Sequence, residues 1–227
     1  MARADLHTHT HFSPDALLRP QAFVERAASA GLTHVAVTDH GSVEGAYALR
    51  AIAPFEVIVG QEVKTSGGEL LALYIEERIP NGLSPGLSAA RIRAQGGIAI
   101  APHPFDPFRP SLGQRGLDEL GAALDAIEGH NGRSLFKARD LRARGLAQRR
   151  GLPLSLGSDA HTARELGRSW IDLPDFDGPA DLLAALAEAS YQPARPTPWL
   201  LPLSGVARAR WLFGWRPPPP TEHSGAA

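Results

Sequence analysis

Almost every strand-like run in this chain ends in a side chain that can ligate a metal. "RADLH" leads into His7 and His9, "THVAVTDH" closes on Asp39 and His40, and "FEVIVGQEV" carries Glu62 at its end. Further on, "IAIAPHP" ends at His103, "LDAIEGHN" at His130, and "LPLSLGSDAH" at Asp159 and His161. Helical periodicity separates these runs, as in "PQAFVERAASAG", "VEGAYALRAIA" and "SLFKARDLRARGLAQRRG". "ELLALYI" after "TSGG" reads as a hairpin partner or a further strand. Alternating short β-rich and helical segments call for an α/β fold with a parallel sheet, open or closed into a barrel. In such folds the C-terminal strand ends meet at one rim, where ligands bind. Side chains spread from residue 7 to residue 161 are therefore expected at one mouth.

The 227 residues suffice for one sizeable domain. There is no cysteine, which excludes disulfides, thiolate zinc sites and cysteine nucleophiles and leaves metal chemistry to histidine and carboxylate. A net charge of −1 excludes binding of polyanions by bulk charge, so an anionic ligand would have to be held locally. No run of 18 apolar residues and no signal-peptide core occur, so no membrane span and a cytoplasmic location are expected. Proline becomes dense beyond about residue 192. The expected organisation is a catalytic domain over 1–192, a docking segment over 193–216 and a disordered tail over 217–227. In the docking segment Trp211, Phe213 and Trp215 stand beside Arg208, Arg210 and Arg216.

His7 and His9, two apart on an extended segment, project to one side and can chelate one ion. Six of the nine histidines fall at strand ends on the same topological face, which independent structural roles would not produce. His34 precedes a strand and His223 lies in the tail, so neither shares that context; His11 can face the mouth without being a ligand. No P-loop, G-x-G-x-x-G or H-E-x-x-H motif is present, and the histidine and carboxylate pattern favours metal-assisted hydrolysis.

Taken together, "DLHTHTHFSPDA", "VAVTDH", the "GQE" strand end, "APHP", "EGHN" and "GSDAH" resemble the PHP family, the polymerase and histidinol phosphatase metallohydrolases, in that family's order. The resemblance implies a distorted (β/α)7 barrel with two or three divalent transition metal ions (Mn, Fe or Zn) at its mouth, and phosphoester hydrolysis by attack of a metal-bound hydroxide. It implies that His7, His9 and Asp159 hold one metal, that Glu62 bridges it to a second completed by His103 and His130, and that Asp15, His40 and His161 hold a third. Glu62, Asp159 and His161 are then the expected catalytic groups. Asp15 stands where some members carry histidine.

Elementary chemistry agrees with this pattern, because a carboxylate can bridge two cations and an imidazole cannot. Three ligand carboxylates facing three divalent ions would leave a surplus of about +3, enough to draw a phosphate dianion. Basic residues near the ligands are candidate phosphate clamps: Lys64, Arg133 and Arg164 foremost, with Arg109 and Arg168 also close in sequence. The arginines from Arg139 to Arg150 are expected on a solvated helix face outside the barrel. The expected substrate is a small phosphorylated molecule, such as a nucleotide or a short oligonucleotide, at a mouth with little cover; no obligate protein partner is expected. Two other readings are an amidohydrolase acting on C–N or C–O bonds and a non-catalytic module binding nucleic acid or a polymerase. Glu62 in place of a bridging lysine, the short chain and the full ligand set count against them.

Overall fold

The computed structural model of the protein describes residues 1–217. The tail from 218 onward, with His223, lies outside the described residues.

The described residues form nine strands and seven α-helices. In chain order they are β1 (Ala2–Thr8), α1 (Pro20–Ser29), β2 (His34–Val37), α2 (Glu44–Arg50), β3 (Glu56–Thr65), β4 (Gly68–Leu73), α3 (Pro85–Ala94) and β5 (Ile98–Ala101). There follow α4 (Gly113–Leu120), β6 (Ala126–Asn131), α5 (Lys137–Arg150), β7 (Leu154–Gly157), β8 (Trp170–Leu173), α6 (Gly178–Leu186), β9 (Ser190–Gln192) and α7 (Leu201–Leu212). Neighbouring strands run in the order β7-β6-β5-β4-β3-β2-β1-β8-β9. The sheet curls until its two halves nearly close: the Asp159 amide donates to the His7 carbonyl at 2.8 Å, and the His9 amide to the Ala160 carbonyl at 2.9 Å. The buried Asp5 carboxylate tightens this seam by accepting from the Ser158 amide at 2.8 Å.

The barrel is mixed where the sequence predicts a parallel one. β1, β2 and β3 are mutually parallel, as are β5, β6 and β7, but β4 is antiparallel to both its neighbours. The short "SGG" turn is the cause: two or three residues can close a hairpin but cannot make a parallel crossover. β4 therefore brings its N-terminal end, where Glu69 sits, to the rim that the parallel strands reach with their C-terminal ends.

Local signals explain the helices. α1 begins with Pro20 at its first position and buries Pro20, Phe23 and Ala27, one stripe at helical spacing. α3 starts at Ser84, whose side chain accepts from the Leu87 amide at 3.3 Å, and α5 stops at Gly151 in the left-handed conformation. Val35, Val37, Val57 and Val59 pack toward the helices, while Ala36 and Ile58 join Leu71, Ile100, Ala126 and Leu156 in a second apolar cluster. That alternation carries Glu62 inward, two pleats beyond Ile58.

Candidate metal centre

Seven of the nine expected ligands meet in pairs and triads at the barrel mouth. Four groups have ligand atoms that all lie within 4.8 Å of one another: His7, His9 and Asp159; His7, Glu62 and His103; His9, His40 and His161; and His40, Glu62 and Glu69. Glu62 is the hub. Its Oε1 lies 3.0 Å from His103 Nε2, and its Oε2 lies 3.3 Å from both His7 Nε2 and His9 Nε2 and 3.5 Å from His40 Nδ1. Asp15 stands at the edge of the cluster, with Oδ2 3.5 Å from His40 Nε2 and Oδ1 3.6 Å from His161 Nε2.

His130 is not part of these groups. The β6–β7 register shifts between Glu128 and His130, so the inward alternation skips a residue. Asn131 takes the inward place and donates to Glu128 Oε2 at 3.0 Å and to Asp159 Oδ2 at 3.2 Å. His130 instead donates from Nδ1 to Asp140 on α5, at 3.0 Å, and its Nε2 is buried without a partner.

The imidazoles are oriented by partners that fix which nitrogen faces the cluster. A carboxylate can only accept, so the 3.0 Å contact of His7 Nδ1 with Glu128 Oε1 makes Nδ1 the donor and turns the Nε2 lone pair inward. His161 Nδ1 donates to the Asp159 carbonyl at 2.8 Å, which leaves its Nε2 lone pair facing the Asp15 carboxylate. Asp159 Oδ2 is held by Arg109 and Asn131 while Oδ1 faces His7, His9 and His161. Asp159 and His103 adopt positive φ, 53° and 28°, the strained backbone that clusters at functional sites.

Such an arrangement fits a cation. Lone pairs of neutral imidazoles facing carboxylate oxygens repel unless positive charge sits between them. Where metal is lacking, protons supply that charge. Burial opposes charge on His7, but Asp159, Glu62 and Glu128 outweigh it and hold its pKa well above the ordinary imidazole value. Against the same burial, Asp159 and Glu62 lift His9 to about 9. Burial, helped by the nearby Glu62 charge, pushes Glu69 up to about 9. The cluster therefore has the charge deficit that divalent ions would fill, and its mixed nitrogen and oxygen donors without sulfur suit Mn, Fe or Zn.

The phosphate-clamp candidates separate. Arg133 lines the cavity above the cluster, whereas Lys64 and Arg164 are exposed and do not line it. Arg109 lines it too, and Arg208 reaches in from α7 to Asp15 Oδ2 at 2.9 Å. The mouth is thus covered where the sequence suggests an open one: Leu201, Ser204, Gly205 and Arg208 of α7 form one wall of a cavity of about 440 Å³. The α5 arginines are also more engaged than a solvated face requires; Arg144 donates to the Gly129 carbonyl at 2.9 Å, and Arg142 lies over the Phe105 ring. His34 is half-buried against Phe176, away from the centre.

Sequence models of known families match two stretches, the PHP domain over residues 5–83 and the PHP-associated region over residues 140–191. An uncharacterized protein of Methanocaldococcus jannaschii is 37% identical over 142 residues, 57% of this chain and 81% of the relative. The chain belongs to the PHP family. A second uncharacterized protein from the same organism is 29% identical over 223 residues, 93% of this chain and 90% of its own. The PHP fold is shared by PsfC from Pseudomonas syringae, with TM-score 0.68, 20% identity and coverage of 93% of this chain and 100% of that one. A candidate metal-dependent phosphoesterase from Bifidobacterium adolescentis aligns with TM-score 0.60 and 20% identity, covering 70% and 87%. The lesion-specific endonuclease EndoQ from Pyrococcus furiosus aligns with TM-score 0.61 and 18% identity, covering 84% of this chain and 57% of that one. PHP membership and the donor set together support a metal-dependent hydrolase. Among the described residues no helix is long and apolar enough to cross a membrane.

One glycine is required by this PHP centre. A Cβ on Gly157 would collide with the Cβ of His7 and come within 2.8 Å of Glu128 Oε1. Gly157→Ala should push His7 off its carboxylate and weaken metal binding by about 10- to 100-fold, the usual cost of disturbing a ligand's supporting partner. Metal titration by calorimetry reads this directly, and unchanged affinity would contradict the placement of His7 in the centre.

Proposed function

We propose that this PHP protein is a metal-dependent phosphoesterase acting on a small phosphorylated substrate. One observation carries the reading: the cavity has cation-seeking acids and imidazoles as its floor and three guanidinium groups, Arg109, Arg133 and Arg208, in its walls. A floor that holds cations and walls that hold fixed positive charge suit a phosphate dianion, which both can grip at once. An amide or lactone offers no charge for three arginines.

In this reading His7, His9, Asp159, Glu62 and His103 would hold the divalent ions, with Glu69 beside them. Bound divalent ions would supply an activated water and neutralise charge on the departing oxygen. The remaining work falls to the chain. Arg133 is steadied by Glu165, at 3.3 Å, and by Ser204, to which it donates at 2.9 Å, so it presents a fixed cation to a phosphate oxygen. Arg109, braced by Asp106 at 3.0 Å and Asn131 at 3.1 Å, presents another beside Asp159. The His161 imidazole is kept neutral: burial and the Arg133 charge hold its pKa below the ordinary value, so its Nε2 can accept a proton or a cation. Phe108, Leu135 and Leu201 give the cavity an apolar side for the non-phosphate part of a substrate. Its volume and the α7 wall favour a nucleotide, sugar phosphate or short oligonucleotide end over a long polymer.

The test is a phosphate-release screen with Mn-, Fe- and Zn-loaded protein across nucleotides, sugar phosphates and short oligonucleotides. Release from at least one of these, lost on chelation, is the expected result. Hydrolysis of amides or lactones with no phosphate release from any ester would overturn the reading.

A further inference from the structure

We propose that Arg208 is a resident cation standing in for a third metal ion, so that this centre is built for two ions. The inference rests on reading the cluster as a metal centre and concerns the corner formed by Asp15, His40 and His161. Asp15 is buried, and the two imidazoles approach it no closer than 3.5 Å, whereas Arg208 Nη2 reaches Oδ2 at 2.9 Å. The guanidinium thus holds one Asp15 oxygen, Oδ2, while Oδ1 is buried without a hydrogen-bond partner and faces His161 Nε2. The Arg208 side chain is 63% exposed and meets the site through this contact with Asp15.

The helix that carries Arg208 is anchored so as to deliver it. Ser204 and Arg208 are four apart on α7 and share a face. Ser204 accepts from Arg133, which also lies 3.3 Å from Glu165. Glu165 in turn accepts from the His161 and Thr162 amides, each at 3.0 Å. The contact between Arg208 and Asp15 is therefore tied, through Arg133 and Glu165, to the backbone of His161 itself.

Charge counting favours the same conclusion. Asp15, Glu62, Glu69 and Asp159 bring four negative charges, and two divalent ions balance them. A third divalent ion beside Arg208 would instead place two cations against one buried carboxylate, where they repel each other.

The test measures metal content of the full-length protein after equilibration with manganese and desalting. Wild type and Arg208→Lys should each retain two ions per chain, and Arg208→Gln, which stays polar and loses the charge, should retain three. Three ions in the wild type, or two in Arg208→Gln, would overturn the proposal while leaving the phosphoesterase reading intact. No uptake by any of the three proteins would overturn the metal centre as well. Circular dichroism on each variant reports the fold independently.

Discussion

Glu62→Gln is expected to remove turnover while leaving the fold intact. Glu62 is 2% exposed and lies within 3.5 Å of four imidazoles, those of His7, His9, His40 and His103. No other side chain joins as many members of the cluster, so the two halves of the proposed centre communicate through it. Glutamine fills the same volume but turns a donor NH2 toward nitrogen lone pairs and cannot bridge two cations. The barrel should tolerate the change because glutamine occupies the same space and keeps one acceptor oxygen, although the metal-free protein loses the charge contacts of Glu62 with His7 and His40. Turnover should fall by on the order of 10³-fold, which corresponds to about 4 kcal/mol of barrier. Metal content and kcat measured together decide the matter. Wild-type turnover with full metal in Glu62→Gln would defeat the bridging assignment, and loss of metal from one site alone would show that Glu62 serves only that site.

How far the sequence discloses the centre depends on which way each strand runs. His7, His9, His40, Glu62, His103, Asp159 and His161 are visible because each ends a parallel strand or opens the loop after it. β3 extends this rule, since Glu62 sits where its parallel pairing with β2 gives way to the hairpin with β4. Glu69 escapes notice because β4 is antiparallel, so its residue at the rim is near the strand start and looks like the first polar position of an apolar run. The hairpin register, which pairs Lys64 with Glu69 and Glu62 with Leu71, is the signal that would have found it. His130 misleads for a related reason: one skipped residue in β6 exchanges the inward role between His130 and Asn131, and a bulge leaves little trace in sequence. Arg109 and Arg208 act over separations of 50 and 193 residues from the acids they meet, and local pattern cannot express such contacts. Glu128 is hidden in the same manner, as an acid inside an apolar strand whose partner His7 lies 121 residues away.

Stripping the metals should cost the protein more stability than any substitution described above. Two ions, each present at about 1,000 times its dissociation constant, would contribute roughly 8 kcal/mol to the folded state. For a chain of this size that corresponds to a fall in Tm of roughly 16–32 °C on chelation. The dependence on pH follows from the groups that hold protons in the metal's place. Burial, followed by the Glu62 charge, raises Glu69 from 4.5 to about 9, so the folded state binds a proton that the unfolded chain has released. Its contribution is complete below pH 4.5 and is lost as pH rises toward 9. His9, lifted from 6.5 to about 9 by Asp159 and Glu62 against its burial, contributes fully below pH 6.5 and loses that contribution over the rest of the same window. Asp159 and Glu62 act in the opposite sense: burial opposes their charge, but His7 above all holds both well below the ordinary carboxylate range, and their contribution fades only in acid. The metal-free protein should therefore weaken steadily from mildly acidic to alkaline pH. Divalent ions replace the same protons, so the stabilisation they confer should grow across that interval. Thermal unfolding with and without manganese, at several pH values between about 6 and 9, measures both trends. A gap in Tm that narrows with rising pH would mean that the ions bind somewhere other than among these acids and imidazoles.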